Sequence, residues 1–161
     1  MKAASVKQIK DELKHRSQEE LIHLCLHLSR FKKENKELLS YLLYHTENET
    51  GYINDIKTEV DEQFEQINFT SYYFIKKSVR KILRNIKKHI RYSKKKETEI
   101  ELLIYFCSKL KEIEPSMYKN VTLHNIFLRQ IELSQKILLS LHEDLQYDYG
   151  EQIEELLDKQ A

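Results

Sequence analysis

The chain alternates short apolar stripes with polar connections, and the spacing of the stripes is helical throughout. Val6, Ile9 and Leu13 share one face after Ser5, whose hydroxyl can form a capping box with Gln8 three residues on. A second box, Ser17 with Glu20, restarts the chain, and Leu21, Leu24, Cys25, Leu28 and Phe31 make the next apolar face. The polar run 32–37 predicts a break near Lys33, ahead of the apolar residues at 38–43. Thr46 to Gly51 reads as the clearest loop. After it Ile53, Ile56, Val60, Phe64 and Ile67 step by 3, 4, 4 and 3. Asn68 to Ser71 offers a cap for a long helix to about Ser93, whose buried face is Ile75, Val79, Ile82, Leu83, Ile86 and Ile90. Another helix covers roughly 97–113 and stops before Pro115, whose ring disfavours helix at the preceding residue. Val121 to about Leu145 reads as one long helix through Leu123, Phe127, Ile131, Leu138 and Leu141. Tyr147 to Gly150 reads as a turn into a last short helix bearing Ile153, Leu156 and Leu157.

These elements predict an all-α fold, a compact single-domain bundle of about seven or eight helices over residues 1–161, with the loop 46–51 as its one candidate sub-boundary. Composition sharpens the picture. Two glycines and one proline in 161 residues leave almost nothing for the turns of sheets, hairpins or phosphate-cradling loops. A chain of this size buries roughly 70% of its unfolded surface, enough for a core without metal or disulfide staples. Cys25 and Cys107 lie in apolar helical stretches and read as reduced, buried packing residues. The N-terminal residues show no apolar signal-peptide core, and the longest apolar run, 102–107, is six residues, too short to span a bilayer. Together these point to a cytoplasmic protein with no membrane partner. Three glycosylation-type tripeptides begin at Asn48, Asn68 and Asn120, and in that compartment they read as helix-boundary chemistry.

The opening pattern Ile9, Leu13, Ser17-Gln18-Glu19-Glu20-Leu21-Ile22, Leu28, Phe31, Asn35-Lys36-Glu37-Leu38-Leu39 resembles small bacterial all-helical proteins classed as a domain of unknown function. The closing segment from Leu141 to Gly150 is similar to the same group. The resemblance implies a helical fold and carries no activity.

Charge is where the chain departs from the ordinary. Residues 76–96 hold eleven basic residues and no acid, which leaves 16 of the 27 bases and all 26 acids elsewhere. On a helical projection the bases occupy one broad arc and the apolar stripe another. Lys77, Lys81, Arg84, Lys88 and Lys95 fall in a narrow line along that arc, with Arg80, Lys87 and Arg91 beside it. Such a ridge suits a polyanion, nucleic acid above all: cations release phosphate counterions and arginine forks match phosphate oxygens. Tyr72, Tyr73, Phe74 and Tyr92 could stack on bases if exposed. The alternative is pairing with an acidic helix of the chain itself, of a second copy or of a partner protein. Residues 47–65 hold seven acids against Lys57, and the tail from Leu141 holds seven against Lys159.

Catalytic and metal chemistry is poorly supplied. His23 and His27 are one helical turn apart, the spacing at which two imidazoles share a metal, but no further ligands are assigned and adventitious binding is the plainer reading. Glu12–His15 and Glu20–His23 match the Glu-x-x-His element of di-iron bundles, yet lie only eight residues apart and off the apolar stripe. No Gly-x-Ser-x-Gly elbow, Walker loop or dinucleotide fingerprint is present. The expectation is a non-catalytic binding protein without a cofactor.

Overall fold

The computed structural model describes residues 1–158, so that Lys159 of the acidic tail lies outside the described residues. It contains eight α-helices: α1 (Val6–Leu13), α2 (Gln18–Phe31), α3 (Lys33–Tyr44), α4 (Glu49–Glu65), α5 (Tyr72–Ser93), α6 (Lys96–Lys111), α7 (Val121–Leu138) and α8 (Glu143–Leu157). A 3-10 turn, Met117–Lys119, precedes α7, and there is no strand among the described residues. The helices fall into two compact units, Met1–Tyr44 and His45–Ala161.

In the first unit both sequence-read capping boxes form: Ser5 with Gln8 at the start of α1 and Ser17 with Glu20 at the start of α2. The break falls at Lys32, which is extended (φ −141°, ψ 144°), and α3 folds back along α2. Asn35 fastens the turn by donating from Nδ2 to the Leu28 carbonyl at 2.9 Å. The stripes expected to be core are not: α1 and α2 bury no residue, α3 buries only Tyr41, and Cys25 is exposed. Three short helices totalling 34 residues have too little volume to enclose an interior of their own.

In the second unit α6 is the axle, packing against α4, α5, α7 and α8. Eight of its 16 residues are buried, among them Leu103, Phe106, Cys107 and Leu110 at 0% exposure. A helix apolar on every side must be enclosed by neighbours. Burial pushes the Cys107 thiol up to about 12, so it stays protonated and inert. The asparagines of the three tripeptides do stand at helix boundaries. Asn48 accepts from the Gly51 amide (3.0 Å), Asn68 from Thr70 (3.0 Å) and Asn120 from Leu123 (3.1 Å). Gly51 is needed there, since a Cβ would lie 2.4 Å from the Asn48 amide nitrogen.

Two expectations at the C-terminal end are corrected. The helix read as 121–145 ends at Leu138, and His142 starts a new one by accepting the Asp144 amide on its ring at 3.3 Å. Tyr147 to Gly150 is not a turn but part of α8. Gly150 lies inside the helix, where a Cβ would meet only a Leu138 methyl of α7 at 3.9 Å, an ordinary contact. The far end of α8 is capped by Lys111, whose ammonium donates to the carbonyls of Glu155, Leu156 and Asp158 at 2.9–3.1 Å. No described helix is long and apolar enough to cross a membrane.

Polar groups tie α4 to α6 at both ends. Glu49 accepts from the fully buried Thr98 hydroxyl (2.6 Å) and from Ser93, and pairs with Lys95 at 2.9 Å. Lys57 pairs with Glu101 at 2.6 Å, and Tyr149 donates to the other Glu101 oxygen at 3.2 Å. The Tyr105 hydroxyl donates to Asp61 at 2.7 Å, beside the Lys109 ammonium at 3.0 Å. Burial pushes Asp61 up, but the Tyr105 hydroxyl and Lys109 outweigh it and hold the carboxyl below its ordinary value. Burial and the Asp61 carboxylate push Tyr105 up to about 12, and burial with Glu101 raises Tyr149 as well.

Two outcomes follow. Glu49→Ala strands the Thr98 hydroxyl, and a buried unsatisfied group plus a lost charged acceptor is worth about 2–3 kcal/mol. In a domain of this size that lowers the thermal midpoint by roughly 4–12 °C, with Glu49→Gln losing less, as differential scanning calorimetry would record. The raised tyrosines contribute stability that is fully present below pH about 10 and is lost as pH rises through their folded values. Absorbance at 295 nm during alkaline titration should therefore show a late fraction among the ten tyrosines. Tyr105→Phe should shrink that fraction, and a single transition at the free-tyrosine value in folded protein would contradict the arrangement.

Candidate functional site

The basic segment is α5, and its formation needs explaining, because several like-charged pairs stand one turn apart. Five such i, i+4 pairs within the helix, from Lys76–Arg80 to Lys87–Arg91, oppose it by about 0.2–0.5 kcal/mol each. The first turn has no acid and Ser71 makes no side-chain cap bond. Against this stand Ile75, Val79, Ile82, Ile86 and Ile90, all between 0% and 9% exposed. At about 1.5–3 kcal/mol per buried side chain the stripe outweighs the repulsion several-fold. The helix exists because its apolar face is covered by α4 and α6, and its charges are carried along.

Each residue of the proposed ridge can now be placed. Lys77, Arg80, Lys81, Arg84 and Arg91 are exposed, Lys87 and Lys88 half-buried. Lys95 is exposed too, but its ammonium turns back to Glu49 and so leaves the ridge for an internal ion pair. Among the described residues no carboxylate lies within 4.0 Å of Lys77, Arg80, Lys81, Arg84, Lys87 or Arg91. These six extend over fifteen residues, fourteen steps of 1.5 Å or about 21 Å of helix. Among the acids expected to compensate them, Glu59 does meet α5, but at Asn85 and His89 and at none of these six. In α4, Asp61 is turned to α6, and α8 packs on α6 and α7. Internal compensation thus holds for Lys95 and not for those six.

Of the aromatic candidates, Tyr73 is 66% and Phe74 42% exposed, edge to face with each other at the N-terminal end of the helix. Tyr72 is half-buried and spends its hydroxyl on the Ser116 carbonyl at 2.9 Å. Tyr92 is half-buried, its ring edge-on to His89.

The flank of α5 facing α4 carries a polar cluster that charge counting overlooked. Glu59 accepts from Asn85 Nδ2 (2.7 Å) and lies 3.5 Å from His89 Nε2, while Tyr52 donates to the His89 carbonyl at 3.1 Å. The signal for it was present: Ser78, Asn85 and Tyr92 recur every seven residues, and between Ile75 and Tyr92 His89 is the one other residue that is neither a lysine, an arginine nor an aliphatic. This seam holds α5 in rotation, so that the opposite arc is the one left to solvent.

Other candidates do not assemble. His23 and His27 are exposed, and no group of three or more His, Cys, Asp or Glu suited to a metal occurs among the described residues. An open cleft of about 640 Å³ between α4, α6 and α8 is lined by Lys57, Glu101, Tyr105 and Tyr149, whose polar atoms are engaged with one another or with Asp61. No protein-family model, no characterised protein and no solved structure matches this chain.

Proposed function

We propose that this is a cytoplasmic, non-catalytic binding protein whose α5 face takes a polyanion, nucleic acid first among them. One observation carries the reading: six solvent-facing or half-exposed cations along one helix with no carboxylate in reach. A chain that pairs Lys57, Lys95, Lys96 and Lys109 with carboxylates of its own leaves this set unpaired. The 21 Å ridge is commensurate with about six phosphates along one strand, at roughly 3.4 Å of axis per phosphate. Exposed Tyr73 and Phe74 at one end supply faces on which unpaired bases stack, which favours single-stranded segments. The bacterial helical family that the chain resembles contributes no activity to this reading.

The test is binding of labelled single- and double-stranded oligonucleotides across a salt series. If most of the six cations engage phosphates, affinity should fall by about a thousand-fold between 50 and 200 mM salt. Arg80→Glu/Arg84→Glu/Lys87→Glu should abolish binding while circular dichroism stays helical, since none of the three is in the buried stripe. Tyr73→Ala should weaken single-strand binding alone, by about 1–3 kcal/mol. Absence of binding at 50 mM salt removes nucleic acid and leaves an acidic protein surface as the partner for this face.

A further inference from the structure

Charge in the larger unit is sorted on two sides. Of the eight described α-helices, only α5 and α8 carry charged residues of a single sign, and the two signs are opposite. In α8 the acids Glu143, Asp144, Asp148, Glu151, Glu154 and Glu155 are all exposed. At about 100° per residue they fall within an arc of about 140°, opposite buried Ile153 and Leu156. Asp144 has His142 at 3.6 Å. Among the described residues no lysine, arginine or histidine lies within 4.0 Å of the other five carboxylates. Asp144–Asp148 and Glu151–Glu155 are like-charged pairs one turn apart, so this face, like that of α5, is not what folding alone selects.

We infer that the acidic face of α8 docks on the basic face of α5 in a second copy of this chain. Three features select that occupant. Neither face can be met from within, because both helices turn their apolar stripes to α6 and their charged arcs away from it. Charge and length agree: six carboxylates along twelve steps of helix, about 18 Å, match six cations along about 21 Å. Sign then discriminates. Like faces repel, so α5 excludes α5 and α8 excludes α8, which leaves α5 against α8 as the charged contact two copies can make. Because the two surfaces differ, the contact is heterologous, and further copies add through the same pair of faces unless they close on themselves. Two helix faces of exposed charge make a small interface, of the transient, salt-labile class rather than that of permanent dimers. The inference does not rest on the polyanion reading, but both use α5, so a polyanion bound there competes with the second copy.

Sedimentation velocity of the nucleic-acid-free full chain at about 20 mM salt should give a mass above the 19.5 kDa of one chain, rising with concentration. Association should weaken at least ten-fold by about 200 mM, as the screening length shrinks from about 20 Å to about 7 Å. Arg80→Glu/Arg84→Glu/Lys87→Glu and Asp148→Lys/Glu151→Lys/Glu154→Lys chains should each be monomeric. Both should stay helical by circular dichroism, since all six side chains lie outside the buried stripes. Their equimolar mixture should associate again, one chain supplying an intact α8 and the other an intact α5. Lys2→Glu/Lys7→Glu/Lys10→Glu shifts the net charge as far as the α5 set but touches neither face, and should associate within about two-fold of the original. A monomer at every concentration in low salt would overturn the inference. So would association that survives either face variant, or that falls equally in the Lys2 control. None of these readouts involves an oligonucleotide, so loss of self-association and loss of nucleic-acid binding are separate results.

Discussion

Everything in the larger unit depends on enclosing α6. Its centre is largely apolar: Glu97 and Glu99 stand in the first turn and Lys109 and Lys111 in the last, and the one charge between them, Glu101, is paired with Lys57 of α4. That distribution suits the helix dipole, and it also decides who the neighbours must be. Four helices cover the cylinder, and two of them, α4 and α8, bring polar groups to an edge of α6. Glu49 of α4 meets Thr98, Asp61 meets Tyr105, and the last carbonyls of α8 meet Lys111. Buried apolar area supplies the driving force, and these edge contacts fix the rotation and register of the cover.

The same constraint explains why α5 is left half bare. It supplies one stripe to the enclosure of α6 and one polar flank to α4, and nothing in the larger unit needs its remaining arc. A face free of packing duty can hold any residue that does not break a helix. Lysine and arginine at such positions are good helix formers, yet a mixture with glutamate would serve stability better through i, i+4 pairs. A face of bases alone is therefore not what folding selects, and that is the physical ground for assigning it a partner.

Periodicity made the helices legible where a cap residue accompanied the stripe, as at Ser5, Ser17 and Asn120, but Glu49 to Gly51, read as loop, form the first turn of α4 behind the Asn48 cap. It failed between α7 and α8 because Leu138, Leu141 and Leu145 keep helical spacing straight across the break. The cap there is a histidine ring rather than a hydroxyl or carboxamide. Gly150 misled in the other direction: it sits within α8 and marks no turn. The charged arc of α5 was legible, but not the defection of Lys95, which depends on a carboxylate forty-six positions away in sequence. The stripes of α1 and α2 were legible as apolar and misread as core. Amphipathicity says that a face should be covered and is silent on whether this chain or another covers it.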